Sequence, residues 1–163
     1  MAQFLEWSPD LSMGVEIIDD QHKRLVEYVN QLDEARIRRD RGAIARVIAE
    51  LVDYTVSHFA FEEVMMEEAG YRFLKAHKRV HATFIEHVGV FQQRFKSGED
   101  VELVATDMQA TLVKWLMKHI KCEDMDYSET VRATLKEESL KPEEGAGAGW
   151  MHAALKRIFR GKH

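Results

Sequence analysis

Cysteine, proline and long apolar runs are all scarce in these 163 residues, and bases are outnumbered by acids, 23 to 28. The single cysteine, Cys122, cannot form an internal disulfide, so the fold must hold without one, which suits a reducing cytoplasm. Two prolines and nine glycines leave most of the chain free of helix breakers, and long uninterrupted helices are expected. No apolar run approaches the ~20 residues needed to span a bilayer. Residues Met1 to Asp10 lack a basic stretch followed by an apolar one, so no signal peptide is expected. A formal net charge of −5 argues against nucleic-acid binding by the body of the protein. These exclusions leave a soluble, cytoplasmic chain of one domain plus a modest appendage, 45% hydrophobic and able to bury a core. A monomer is expected, although nothing in the composition sets the oligomeric state.

The hydrophobic pattern is helical throughout. After an irregular arm containing Trp7, Pro9 and Gly14, the apolar residues Ile18, Leu25, Val29 and Leu32 recur at helical spacing over about 17–38. A second helix is predicted over about 43–68, with Ile44, Val47, Ile48, Leu51 and Val52 facing inward, and Ala69-Gly70-Tyr71 closes it. The third runs from about Phe73 to Lys96. The fourth starts at the plausible N-cap Asp100 and carries Val101, Leu103, Val104, Met108, Leu112, Trp115 and Leu116. Long helices with short connections imply an all-α, up-down-up-down antiparallel four-helix bundle over residues 1–140. A flexible linker over 141–149 and a short amphipathic helix over 150–163 complete the expected plan.

Histidine is unusually frequent for its type, with eight copies. Helix two contains His58-x-x-x-Glu62 and helix three His77-x-x-x-His81; residues four apart share a helix face, so each pair can aim two ligands at one point. Helix one adds His22, and helix four adds His119 followed by Asp124. Any one of these alone reads as an ordinary core or surface residue. Seven spread over all four helices read as a metal site, because isolated buried imidazoles and carboxylates are costly. Seven ligands exceed the four of a structural zinc and imply two metals, and imidazole-rich ligation favours iron over magnesium or calcium. One step is awkward. His119 and Asp124 are five apart, about 140° on a regular helix, so the helix must end, bend or take a π-type turn between Lys118 and Asp124. His87 is expected to face outward, and Cys122 to be a passive thiol.

These residues carry a resemblance. Trp7, Gly14, Ile18-Asp19-x-Gln21-His22-Lys23-x-Leu25, His58-Phe59-x-x-Glu62-Glu63-x-x-Met66, Gly70-Tyr71, His77-Lys78-x-x-His81, Trp115-Leu116-x-x-His119-Ile120, Asp124 and Tyr127 resemble the hemerythrins, specifically the bacterial branch called bacteriohemerythrins, over about residues 4–130. Arg72 after Tyr71 and Val80 before His81 depart from the common pattern without touching a ligand position. The resemblance implies a non-haem di-iron centre with an oxo or hydroxo bridge. His77, His81 and His119 would ligate one iron, His22 and His58 the other, and Glu62 and Asp124 would bridge. It also implies that the second iron keeps a vacancy for reversible O2 binding, with Trp115 and Leu116 walling the O2 pocket. The expected function is O2 transport, storage or delivery, and no enzymatic activity beyond weak redox side reactions. Two alternatives stay open: an O2 or NO sensor or partner-binding module, and a di-iron peroxidase or oxidase.

The C-terminal segment differs in character. Residues 150–163 hold Lys156, Arg157, Arg160 and Lys162 with no acid, which leaves a formal −9 on residues 1–149. On a helical wheel Trp150, Met151, Ala154, Leu155, Ile158 and Phe159 form one face, opposite Lys156, Arg157 and Arg160. This character fits an interfacial helix on anionic lipid at the inner membrane face, a docking helix for a partner protein, or a helix folded onto its own acidic bundle. Short bacteriohemerythrins lack such a segment.

Overall fold

A computed structural model describes residues 4–139. The expected linker over 141–149 and amphipathic helix over 150–163 lie outside the described residues. The main elements are α1 (Glu16–Ile37), α2 (Arg41–Glu68), α3 (Leu74–Lys96) and α4 (Val101–Lys118). A π-helical turn, His119–Asp124, joins α4 to α5 (Met125–Ser139). No strand occurs among the described residues. Helix α1 packs on α2 and α4, and α3 packs on the same two helices, which gives the four-helix bundle.

Local chemistry sets where each helix starts and stops. Asp40 Oδ1 accepts from Ala43 N at 2.9 Å at the start of α2, and Asp100 Oδ1 accepts from Glu102 N and Leu103 N at the start of α4. Three helices end alike, with an amide reaching back five residues: Asp40 N to Ala35 O, Tyr71 N to Met66 O and Glu99 N to Arg94 O. Such an ending needs a left-handed residue. Gly70 (φ 68°) and Gly98 (φ 83°) supply it after α2 and α3, whereas Arg39 (φ 54°) takes the role after α1.

The arm is tied to α1 on both sides. Leu5 and the Asn30 amide exchange two hydrogen bonds of 2.8 and 2.9 Å, and the buried Asp19 carboxylate accepts from Met13 N and Ser12 Oγ. The inward stripes follow the sequence pattern on α1, where Ile18, Leu25, Val29 and Leu32 are all buried. Leu103 of α4 is the exception, at 59% exposed; Val101, Val104, Ala105, Met108 and Leu112 take the core face instead.

The apolar interior is split in two. One cluster includes Leu32, Ile48, Phe84, Met108 and Leu116; the other includes Met13, Ile18, Met65, Tyr127 and Val131. Between them lies a layer of buried histidines and carboxylates. Leu32 is fully buried and Leu103 is not, so Leu32→Ala should cost about 2–5 kcal/mol in denaturant unfolding. Leu103→Ala should stay within about 0.5 kcal/mol of the parent.

Candidate metal centre

Each helix delivers its part of the polar layer by simple periodicity. His22 comes from α1, His58 and Glu62 from one face of α2, and His77 and His81 from one face of α3. His119 opens the π turn and Asp124 closes it. All seven are buried, none exceeding 5% exposure. The extra residue per turn of π geometry swings Asp124 back over His119, bringing its Oδ1 within 3.0 Å of His119 Nε2. The five-residue step that a regular helix could not accommodate is thereby resolved. His87 is exposed, as expected for a bystander, and the Cys122 thiol is also exposed.

The two carboxylates each touch imidazoles from different helices. Asp124 Oδ1 lies 3.3 Å from His77 Nε2, while its Oδ2 lies 3.1 Å from His22 Nε2. Glu62 Oε2 lies 3.4 Å from His58 Nε2 and 3.3 Å from His81 Nε2, and its Oε1 lies 3.7 Å from His22 Nε2. Short separations usually mean hydrogen bonds, yet Glu62 Oε2, both Asp124 oxygens, His58 Nε2 and both His22 nitrogens have no hydrogen-bond partner. Buried polar atoms are rarely left so. Atoms that crowd together without bonding one another are aimed at common points between them. Two overlapping groups result, His22, His58 and Glu62, and Glu62, His77, His81, His119 and Asp124, each with ligand atoms within 4.8 Å of one another. The donor set of imidazole nitrogen and carboxylate oxygen fits transition metals such as iron.

A ring of polar residues fixes how the histidines face. His58 Nδ1 meets Gln21 Oε1 at 2.7 Å, His81 Nδ1 meets Glu63 Oε1 at 3.0 Å, and His119 Nδ1 meets Glu123 Oε2 at 2.7 Å. Each acceptor holds the proton on Nδ1 and leaves the Nε2 lone pair pointing inward. The Tyr127 hydroxyl donates to Glu62 Oε1 from α5. Aromatic rings brace the other faces: Phe59 stacks on His81 at 3.8 Å, and Trp115 stacks on His119 at 4.1 Å. Gln21, Glu63 and Tyr127 stood among the motif residues, but nothing in the sequence assigned them these partners. Glu123 was readable in principle, being four residues from His119.

Electrostatics within the layer pull in opposite directions. Burial works to remove the proton from His22, but Asp124 and Glu62 outweigh it and push its pKa up to about 9. Burial is likewise overcome at His119, by Asp124 with help from Glu123, and its pKa rises to about 10. At His58 burial wins and the pKa falls to about 4. Burial pushes Glu62 and Asp124 upward, yet the surrounding imidazoles hold both carboxyls well below their usual range. Glu62 and Glu63 also raise His81 against its burial. Anionic carboxylates thus favour protonated imidazoles around them, and a metal that displaces those protons supplies balancing charge in their place.

Comparison with known proteins matches this arrangement. Residues 13–131 fit the hemerythrin HHE cation binding domain. The chain belongs to the hemerythrin family. A bacteriohemerythrin of Pseudomonas aeruginosa is 45% identical over 155 residues, covering 95% of this chain and 97% of that protein. One from Methylococcus capsulatus is 31% identical over 133 residues, covering 82% of this chain and all of that protein. A wild-type hemerythrin crystal structure superposes with a TM-score of 0.73 at 30% identity, covering 78% of this chain and 98% of the other. Hemerythrin membership brings iron and O2 binding with it. The Pseudomonas match also runs well beyond the bundle, so the C-terminal segment has counterparts in longer bacteriohemerythrins, while the shorter Methylococcus relative matches less of this chain.

Trp115 and Leu116 do line a cavity. It lies one helical turn from the polar layer and is walled by Leu25, Val29, Leu51, Thr55, Phe84, Leu112, Trp115 and Leu116 from all four helices. Its volume is about 10 Å3, the lower limit for one water-sized guest, and its walls are almost wholly apolar. The ring of Nδ1 acceptors generates a prediction for the centre. Glu63→Gln and Glu123→Gln should each weaken metal affinity by about 10–100-fold with all seven inner residues intact. His81→Ala should lower the metal content per chain outright, as metal analysis of purified protein would show.

Proposed function

We propose that this hemerythrin binds O2 reversibly at a pair of iron ions and serves in O2 transport, storage or delivery. The observation that carries the reading is the convergence of seven buried donors, several without hydrogen-bond partners, one turn from an apolar cavity. His77, His81 and His119 would hold one ion, His22 and His58 the other, and Glu62 and Asp124 would bind both. Three histidines against two leaves the His22–His58 side one ligand short. A bound iron pair supplies reversible electron donation to O2.

The chain's own residues do the rest. The apolar cavity walls favour an uncharged diatomic over ions and offer water no hydrogen-bond partner of its own. Thr55, the one hydroxyl in the wall, is committed to Leu51 O at 2.7 Å. Tyr127 holds its proton toward Glu62 Oε1; burial keeps its pKa well above the usual phenol value, so the phenol stays neutral. Gln21, Glu63 and Glu123 lock the imidazole orientations, so little reorganisation accompanies ligand binding.

The test is absorption spectroscopy of the reduced, iron-loaded protein through repeated cycles of O2 and inert gas. A charge-transfer band that appears and vanishes with O2 is the expected result. Irreversible oxidation with product formation would replace the carrier reading with a di-iron oxidase or peroxidase.

Delivery to a membrane-bound O2-consuming enzyme is the finer form of the proposal, with the protein in the cytoplasm and peripheral at the membrane's inner face. It is supported by the sequence of residues 150–163, in which basic and apolar residues alternate at helical spacing with no acid, in a chain whose other residues are net acidic. Full-length protein should sediment with anionic vesicles at low salt, and chain lacking residues 145–163 should not. Equal sedimentation of the two would remove the membrane from the proposal.

A further inference from the structure

A second hollow lies outside the first. Between α2 and α3 a groove of about 140 Å3 is rimmed by Val52, Val56, Ile85, Val88 and Gly89, with Gln92 at one end. Thr55 and Phe84 belong to this groove and to the inner cavity alike, so these two side chains are the partition between them. Val56 and Ile85 are 43% and 38% exposed, which makes the rim apolar out to solvent.

Gly89 has no other evident reason to be glycine. It sits inside α3, away from any positive φ, and a Cβ built there meets nothing within 4 Å. Glycine weakens a helix interior relative to alanine. What its missing side chain does is leave the groove open.

We infer that the α2–α3 groove is the entry port and antechamber for apolar diatomic gas, with Thr55 and Phe84 as its inner gate. The inference rests on the O2-binding reading above. An uncharged apolar solute gains by leaving water for an apolar hollow. The groove is the larger of the two spaces and collects gas beside the smaller one. The gate is narrow but adjustable. Thr55 Oγ1 bonds Leu51 O at 2.7 Å and can exchange it for the carbonyl three residues back in threonine's other helical rotamer, and the Phe84 side chain has no polar bond to break when it moves. The charged hollow between α3 and α4 is a poorer route: it meets the inner cavity only at Trp115, whose ring is stacked between Phe84 and His119. Arg79, His87, Lys118 and Glu123 line it, and such polar groups favour water over an apolar guest.

Gly89→Phe fills the groove without entering the core, and His87→Phe fills the charged hollow as a control. In stopped-flow measurements on the full-length iron-loaded chain, Gly89→Phe should slow O2 association and dissociation together, by about tenfold or more. A port changes both rates alike and leaves the equilibrium affinity unmoved; a disturbed centre would shift the affinity. Xenon under pressure supplies a readout that needs no O2 chemistry. It should occupy the α2–α3 groove in crystals of the parent and be lost in Gly89→Phe. Unchanged rates in Gly89→Phe would overturn the port, as would slowing confined to His87→Phe. Should the protein fail to bind O2 at all, xenon decides alone: absence from the groove overturns the port, and presence keeps it while the carrier reading falls.

Discussion

Two buried carboxylates reaching imidazoles from four helices are the constraint on which the rest depends. Glu62 and Asp124 have no exposure, and each contacts histidines from at least two other helices. Left unpartnered in an apolar bundle, either charge would be prohibitive. The helices must therefore be positioned closely enough to surround both, which fixes their axial register more tightly than leucine packing would. Apolar side chains slide past one another at modest cost; a layer of fixed donors does not.

That layer also divides labour between the two hydrophobic clusters. The cluster around Leu32 and Met108 is an ordinary bundle core and holds the small cavity at its edge. The cluster around Met13, Met65 and Tyr127 is built from the arm, the end of α2 and α5, and presses on the centre from the opposite side. Stability and ligand access are thus assigned to different places. The phenol of Tyr127 joins the two, since it packs in one cluster and bonds the carboxylate that closes the polar layer.

Much of this was legible from spacing. Pairs four apart on α2 and α3 announce a shared target, and the pattern Ile18, Leu25, Val29, Leu32 reads directly as a buried face. The need for a break after Lys118 followed from angles alone, although angles could not choose between a bend and a π turn. Leu103 stood in the sequence only as one of the apolar residues of the fourth helix; at 100° per residue it lies roughly opposite the Val101–Leu116 stripe, so its phase and not its character puts it in solvent. The Nδ1 partners were hidden for another reason: Gln21 reaches His58 and Glu63 reaches His81 across helix interfaces, and only the packing angle creates those contacts. Arg39 at positive φ was equally unreadable, because its conformation is imposed by the helix ending and not by its side chain.

The π turn leaves a trace in the periodicity itself. Along α4 the buried positions Val101, Ala105, Met108, Leu112 and Leu116 keep one phase. After the turn Tyr127, Val131 and the half-buried Leu135 keep another. At about 100° per residue the second set is displaced from the first by roughly one residue's rotation. A single wheel drawn through 101–139 would smear the two into a broad, weakly amphipathic face. Drawn as two wheels with a slip of one position, both halves become sharp. The metal-facing turn thus behaves as a frame shift in the language of helices, and a one-residue deletion between Ile120 and Glu123 would merge the two wheels into one, erasing the slip and with it the reason for a π turn.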